Sequence, residues 1–279
     1  MKIAVMTDST ASITKELQEQ YQIHVIPLSV VFGEVAYREE IDISTEEFYE
    51  KLKESERLPT TSQPSIGLIV EKLKELSEDY DAIISIHLSS EISGTYQAVC
   101  KAGEMTDNIE VYAFDSELSA MPQGFYAIKA TELIRKNKTP AEIIENLTEM
   151  KTNIKAYFMV DDLTNLQRGG RLSHSQALIG SFLQVKPILH FVDKVIVPFE
   201  KIRTRKKAIK RIMGMLEEDA AQGLVSRVVF IHSNTEESAI ELRDEFATQY
   251  PDIETIISYF SPVIGTHLGE GAIGVSWHK

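Results

Sequence analysis

Residues 82–101 read Ala82-Ile83-Ile84-Ser85-Ile86-His87-Leu88-Ser89-Ser90-Glu91-Ile92-Ser93-Gly94-Thr95-Tyr96-Gln97-Ala98-Val99-Cys100-Lys101, and this stretch decides the fold. The short, mostly apolar run Ala82 to His87 is the length of a buried strand, and it feeds a helical stretch, Ser89 to Lys101, through a cluster of hydroxyls. The same grammar recurs on both sides. Residues 2–6 form a strand closed by Thr7-Asp8-Ser9-Thr10, with Ser12 or Thr14 placed to cap a helix through Tyr21. A strand over Ile23 to Phe32 precedes helical Ser44 to Leu52, and Ser65 to Leu76 is helical. Ile109 to Phe114 is a strand that ends in Asp115-Ser116 and feeds a long helix near Gln123 to Arg135; a further helix runs from Pro140 to Met150. Strands alternating with helices are the pattern of a parallel α/β sheet.

Beyond Ala156 to Val160 the pattern changes. Pro187 to Phe191 and Val195 to Phe199 are strand-like on either side of Asp193-Lys194, which reads as a hairpin. Helices are expected at Arg205 to Glu218 and Glu236 to Tyr250, with strands at Val228 to His232 and Thr255 to Tyr259, so this half is α+β with a mixed sheet. A chain of 279 residues is long enough for two cores. The expected division is an α/β/α parallel-sheet domain over 1–153 and an α+β domain over 154–279, although no Gly/Pro/Ser linker marks the join.

Composition narrows the function. The chain is 43% hydrophobic and 25% charged, within ordinary globular usage. A net charge of −13 and a pI near 5.1 oppose a nucleic-acid surface, which needs a dominant basic face. The acidity is uneven, because residues 1–150 hold 27 acids against 13 Lys and Arg while the remainder is nearly balanced. Within that remainder Lys201, Arg203, Arg205, Lys206, Lys207, Lys210 and Arg211 form a run of cations without an acid. Such a run serves either as a solvated helix face or as a dock for an acidic partner or anionic lipid. The single cysteine, Cys100, excludes an internal disulfide and sits in a helical pattern that suggests a core thiol. No signal h-region or transmembrane run is visible, which places the protein in the cytoplasm.

Gly269-Glu270-Gly271-Ala272-Ile273-Gly274 satisfies GxGxxG, but a dinucleotide fingerprint must open a helix in a βαβ unit, and the sequence stops at Lys279. These glycines instead suit close passage of the backbone and a last strand over Gly274 to Trp277. No Walker loop, GxSxG elbow, HExxH or paired CxxC appears, so nucleotide, esterase and zinc readings lose their usual support. Of the seven histidines only His267 stands in notable company. What recurs is hydroxyls after strands: Asp8-Ser9-Thr10; Ser89, Ser90, Ser93 and Thr95; Asp115-Ser116; and, before a helix, Thr60 to Ser65. Capping explains each alone, yet strand ends of a parallel sheet share one edge, so they are expected to converge on one crevice suited to a modest anion. Arg168 and Arg171 supply candidate cations, followed by the apolar residues Ala177, Leu178, Ile179, Phe182 and Leu183; one carboxylate with a long apolar tail would use both features.

Thr7 to Thr10, Thr60 to Ser65, Ser93-Gly94-Thr95-Tyr96-Gln97, Asp115-Ser116, Leu166 to Ser173, Lys186 to Leu189 and Ile264-Gly265-Thr266-His267, taken in order, resemble the DegV family over nearly the whole chain. The resemblance implies a two-domain bacterial protein that holds one long-chain fatty acid between its domains and has no catalysis, metal or cofactor of its own. It further implies a partner, a separate ATP-dependent fatty acid kinase, which makes acyl phosphate for phospholipid synthesis. Carried onto matching positions, Thr61 and Ser93 bind the carboxylate, with Ser62, Gly94, Arg171 and His267 around it. Arg203, Arg205 and Lys206 are the expected contacts to the kinase or to a transient anionic membrane surface. The chain departs from the family pattern at Pro122, Leu268 and Glu270.

A different class of function uses the same residues. In a serine-type hydrolase Ser93 is the nucleophile, His267 the base and Asp8 or Asp115 the orienting acid, and a triad is defined by geometry rather than order. The helical setting expected for Ser93, without an elbow, opposes that reading.

Overall fold

A computed structural model describes residues 1–55, 57–161, 163–172 and 185–279, so the expected apolar stretch Ala177 to Leu183 lies outside the described residues. The first half runs β1 (Ile3–Asp8), α1 (Lys15–Tyr21), β2 (Ile23–Ile26), β3 (Ser29–Phe32), β4 (Val35–Arg38), α2 (Thr45–Glu54), β5 (Thr60–Ser62), α3 (Ile66–Leu76), β6 (Ala82–His87), α4 (Thr95–Glu104), β7 (Glu110–Asp115), α5 (Met121–Arg135) and α6 (Pro140–Met150). The second half runs β8 (Ile154–Met159), α7 (Thr164–Arg168), β9 (Lys186–Val192), β10 (Val195–Ile202), α8 (Arg205–Ala221), β11 (Arg227–His232), α9 (Glu236–Gln249), β12 (Glu254–Tyr259), α10 (Pro262–Leu268) and β13 (Ile273–His278).

The first sheet has the order β2-β1-β6-β7 and is parallel throughout. Its strands are buried on both faces, which is why β6 carries a near-continuous apolar run. Ala4, Met6 and Ile83 pack against Ile69, Leu73 and Val99 of α3 and α4. Val5, Ile84 and Ile86 face the other way, toward Phe125 and Ala127 of α5 and Leu147 of α6. This is the expected α/β/α sandwich.

The second sheet, β10-β9-β8-β13-β11-β12, is mixed: β11 and β12 run parallel, and the other neighbours are antiparallel. One face carries α8 and α9 through Ile212, Leu216, Phe246 and Trp277. Phe158, Leu189, Val229 and Ile231 on the opposite face join the cluster that contains Phe125, so one apolar core links α5 to both sheets. Asp193 and Lys194, both at positive φ, make the tight turn between β9 and β10.

Three expectations change. The single strand expected over Ile23 to Phe32 breaks at Pro27-Leu28: β2 joins the parallel sheet, while β3 leaves to form a three-stranded antiparallel sheet, β4-β3-β5. The helix expected from Ser89 begins at Thr95, and residues 89–94 form the loop that presents Ser93. Cys100 is half-buried rather than a core thiol, because the inward face of α4 is Thr95, Ala98, Val99 and Ala102. In the Gly269–Gly274 motif, a Cβ on Gly274 would sit 2.9 Å from Phe260 Cζ, so glycine there permits the close passage of β13.

Candidate functional site: an apolar chamber with a polar mouth

An apolar cavity of about 550 Å³ lies between the N-terminus of α5 and the inner face of the mixed sheet. Its walls include Ala120 and Pro122 from α5, Phe158, Phe191, Ile196 and Ile231 from the sheet, and Ile264 and Leu268 from α10. Pro122 and Leu268, two departures from the family pattern, thus both serve as apolar wall. Ala120 holds φ 56 at the head of α5, a strained position of the kind that gathers at binding sites.

At one end the chamber meets Arg171 and His267, which also line a polar mouth with Thr61, Ser62, Gln63, Ser93 and Gly94. All six residues assigned to the carboxylate therefore share one cavity wall. The elements that bring them there are distant in sequence: Thr61 lies on β5, Ser93 and Gly94 at the head of α4, Arg171 just after α7, and His267 in the last turn of α10.

Thr61 Oγ1 lies 3.0 Å from His267 Nε2. Burial, reinforced by the charge of Arg171, lowers the His267 imidazole to about 4, so it is neutral at physiological pH. Its Nδ1 is buried without a hydrogen-bond partner among the described residues. Gly169 closes over that atom: a Cβ there would lie 2.2 Å from Nδ1, so only glycine permits this approach. Ser93 Oγ is 2.9 Å from Thr95 Oγ1 and accepts from Thr95 N; with Thr95 Oγ1 as donor in that pair, the Ser93 hydroxyl proton is left to give. Gly94 is the N-cap of α4 and packs under Gln63, while the exposed Ser62 hydroxyl donates to Gln63 O. The Arg171 guanidinium donates to Ile92 O (3.0 Å) and to Gly169 O, pinning the loop across the mouth. Desolvation lowers its pKa without a carboxylate to hold it. Arg168 is exposed and lies outside this mouth.

The expected convergence of strand-end hydroxyls holds in part: Ser93, Thr61 and Ser62 reach the mouth, whereas the groups after β1 and β7 and Ser89 do not. Asp8 is consumed in a buried network: it accepts from Thr10, from Leu88 N, from Gln123 Nε2, and bonds His87 Nδ1 at 2.9 Å. The Ser9 hydroxyl donates to Glu39 and accepts from Leu28 N. Ser89 donates to Lys194 O, and Asp115 takes the Lys194 ammonium at 3.0 Å. His87, passed over in the sequence, is thus the histidine with carboxylate company, while Asp8 and Asp115 are both engaged away from His267. Ser93 and His267 line one mouth yet bond Thr95 and Thr61, so the hydrolase arrangement of base, nucleophile and orienting acid is not assembled among the described residues.

The basic run is also divided. Arg205 donates to Gly271 O and pairs with Asp161, and Arg211 holds Glu200 at 2.9 Å. Arg203 and Lys206 are exposed, and among the described residues neither has an ion pair. Glu270, the third departure, bonds Asn234 and Lys53.

Fold and cavity together define a class: an α/β protein with a parallel-sheet domain, a mixed-sheet domain, and an internal apolar chamber that opens through a hydroxyl-lined mouth. The chain belongs to the DegV family, since the family profile described as "Uncharacterised protein, DegV family" matches residues 2–279. It is 60% identical over 278 residues to the protein DegV of Bacillus subtilis, covering 99% of both chains. The crystal structure of DegV, a fatty acid binding protein from Bacillus subtilis, superposes with a TM-score of 0.95 at 60% identity, covering 100% of this chain and 99% of that one. A DegV family protein from Thermus thermophilus, described for its fatty acid binding, matches at TM-score 0.90 and 28% identity over the whole of both chains.

Proposed function

We propose that this protein binds one long-chain fatty acid and presents its carboxylate to a separate ATP-dependent kinase for acyl phosphate formation. One observation carries the reading: an apolar chamber that ends at a neutral imidazole and two hydroxyl donors. The acyl chain gains about 25 cal/mol for each Å² of apolar surface it withdraws from water in the chamber. Hydroxyls of Thr61 and Ser93 donate to the anion, each worth about 1.5–3 kcal/mol because the acceptor is charged. In this reading His267, kept neutral, donates its Nε2–H to Thr61 Oγ1, which leaves the Thr61 hydroxyl proton for the carboxylate. Ser62, Gly94 and Arg171 complete the mouth, Arg171 adding positive charge beside the carboxylate. The fatty-acid-binding relatives in Bacillus subtilis and Thermus thermophilus support the ligand class.

A mouth at the edge of the chamber leaves the carboxylate within reach of an external enzyme, and the exposed Arg203 and Lys206, with Arg205 fixed between them, offer a basic approach for an acidic kinase or anionic membrane. In this reading the protein works in the cytoplasm, is a lipid-binding subunit without catalysis of its own, and needs no cofactor. Native mass spectrometry of the protein purified from cells tests it: the expected result is one fatty-acid mass per chain. A chain that neither carries nor takes up palmitate or oleate on titration overturns it, and stoichiometric labelling of Ser93 by a serine-directed probe would revive the hydrolase.

A further inference from the structure

A second, more open recess shares Arg171 and His267 with the chamber. Arg57, Arg168 and Arg171 line it together with Thr60, Asn165 and Thr266, and no aspartate or glutamate is among its described lining residues. That is unusual in a chain with 42 acids and 29 Lys and Arg. Arg38, Arg205, Arg211, Arg227 and Arg243 each hold a carboxylate. By contrast, the side chains of Arg57 and Arg168 have neither an ion pair nor a hydrogen bond among the described residues. Two unspent guanidiniums and a third already pinned by Ile92 O and Gly169 O thus face one recess, and the recess shares Thr61, Arg171 and His267 with the carboxylate mouth.

A carboxylate has two oxygens, and the hydroxyls of Thr61 and Ser93 already serve it. Arginines that line the adjoining recess fit a larger anion whose oxygens extend past the mouth, and planar guanidinium forks match a phosphoryl group well. We propose that this recess is a phosphoryl subsite, which holds the phosphate end of an acyl phosphate while the acyl chain stays in the chamber. The proposal rests on the fatty-acid reading above. In the transfer a carboxylate oxygen forms a bond to the γ-phosphorus of the ATP held by the kinase, the bridging bond to the β-phosphate breaks, and ADP departs with the electron pair; no proton is required. The product then carries roughly one more negative charge than the substrate, and Arg57 and Arg168 receive it.

Hexadecylphosphonate, a stable molecule with the same chain and a dianionic head, is the probe, with palmitate as its control. Both are titrated against the parent protein and the double variant Arg57→Ala/Arg168→Ala. The expected result is a loss of roughly tenfold or more in phosphonate affinity with palmitate affinity held within about twofold, and a steeper salt dependence for phosphonate in the parent than in the variant. Equal losses for both ligands, or no loss for either, overturn the subsite. If the parent binds palmitate but not phosphonate, the subsite fails and the fatty-acid function stands; if it binds neither, the function fails and the subsite with it. A third arm adds inorganic phosphate to the palmitate-loaded parent. Saturable phosphate binding there, abolished in the double variant, would assign the recess to free phosphate and overturn the acyl phosphate assignment.

Discussion

Two polar clusters built from the same residue types behave differently. At the edge of the parallel sheet Asp8, Thr10, His87 and Gln123 have no exposed surface, and every Asp8 oxygen is bonded. Ser85 Oγ lies 2.6 Å from His87 Nε2, so Ser85, His87 and Asp8 follow one another as in a hydrolase triad. At the mouth of the chamber Thr61, Ser93 and Arg171 are half-buried, and His267 Nδ1 has no partner among the described residues. A fully satisfied network fixes a structure and has no donor to offer a ligand, whereas unspent donors beside a cavity are available to one. Residue identity does not separate the two clusters. Burial and the unpartnered His267 Nδ1 do.

The largest expected effect tests the satisfied side. Asp8→Ala strands the donors of Thr10, His87, Leu88 and Gln123 in a dry interior and should cost about 3–5 kcal/mol in denaturant unfolding. A loss below about 1 kcal/mol would mean that the network is not what holds this edge together.

Glu39 comes next. Its side chain is 1% exposed, accepts from Ser9 and from Val263 N near the head of α10, and so ties the helix carrying His267 to the end of β1. Burial, with the Asp8 charge adding to it, raises its carboxyl from 4.5 to about 7, against those two hydrogen bonds. The native state therefore holds more protons than the unfolded chain between about pH 4.5 and 7, and Glu39 stabilises less as pH rises through that window, by about 3 kcal/mol in all. His267, lowered to about 4, works in the opposite sense and adds stability as pH rises from about 4 to 6.5, so the two partly cancel in the parent. Glu39→Gln removes the falling contribution. Its stability relative to the parent should grow between pH 5 and pH 8; an equal difference at both values would show that Glu39 does not titrate there.

On the unspent side, Thr61→Ala and Ser93→Ala should each weaken fatty-acid binding by about 1.5–3 kcal/mol while changing unfolding by less than about 1 kcal/mol. Isothermal titration with oleate and a denaturation curve on the same samples check both parts. Parent-like affinity in both variants would place the carboxylate elsewhere. The smallest effect belongs to the surface: Arg203→Glu/Lys206→Glu, which spares Arg205 and its bond to Gly271, should slow association with the kinase and reduce its salt dependence while fatty-acid affinity holds. Unchanged acyl phosphate formation and unchanged binding to anionic vesicles at low salt would return these residues to a solvated helix face.

Much of this was legible in the sequence because it depends on neighbours along the chain. The apolar run of β6, the Asp193-Lys194 turn and the helix from Pro140, capped reciprocally by Thr139 and Glu142, are all set by residues within a few positions of one another. The six residues that the family resemblance implies for a carboxylate line one wall, and nothing in their local sequence brings them together. Missed elements were short or locally weak. β5 is only Thr60–Ser62 and has no apolar alternation, while α10 spans seven residues, contains Gly265 and lacks a side-chain cap.

The sequence by itself determined the alternation of strands and helices and the two kinds of sheet, since periodicity and turn chemistry act over a few residues. Tertiary structure alone decided which hydroxyls border the cavity. Asp8 meets His87 across 79 positions and Glu39 meets Val263 across 224, and whether a donor is spent depends on those partners. The neutral state of His267 was decided the same way, because it follows from burial and from Arg171, and neither is written in the residues beside it.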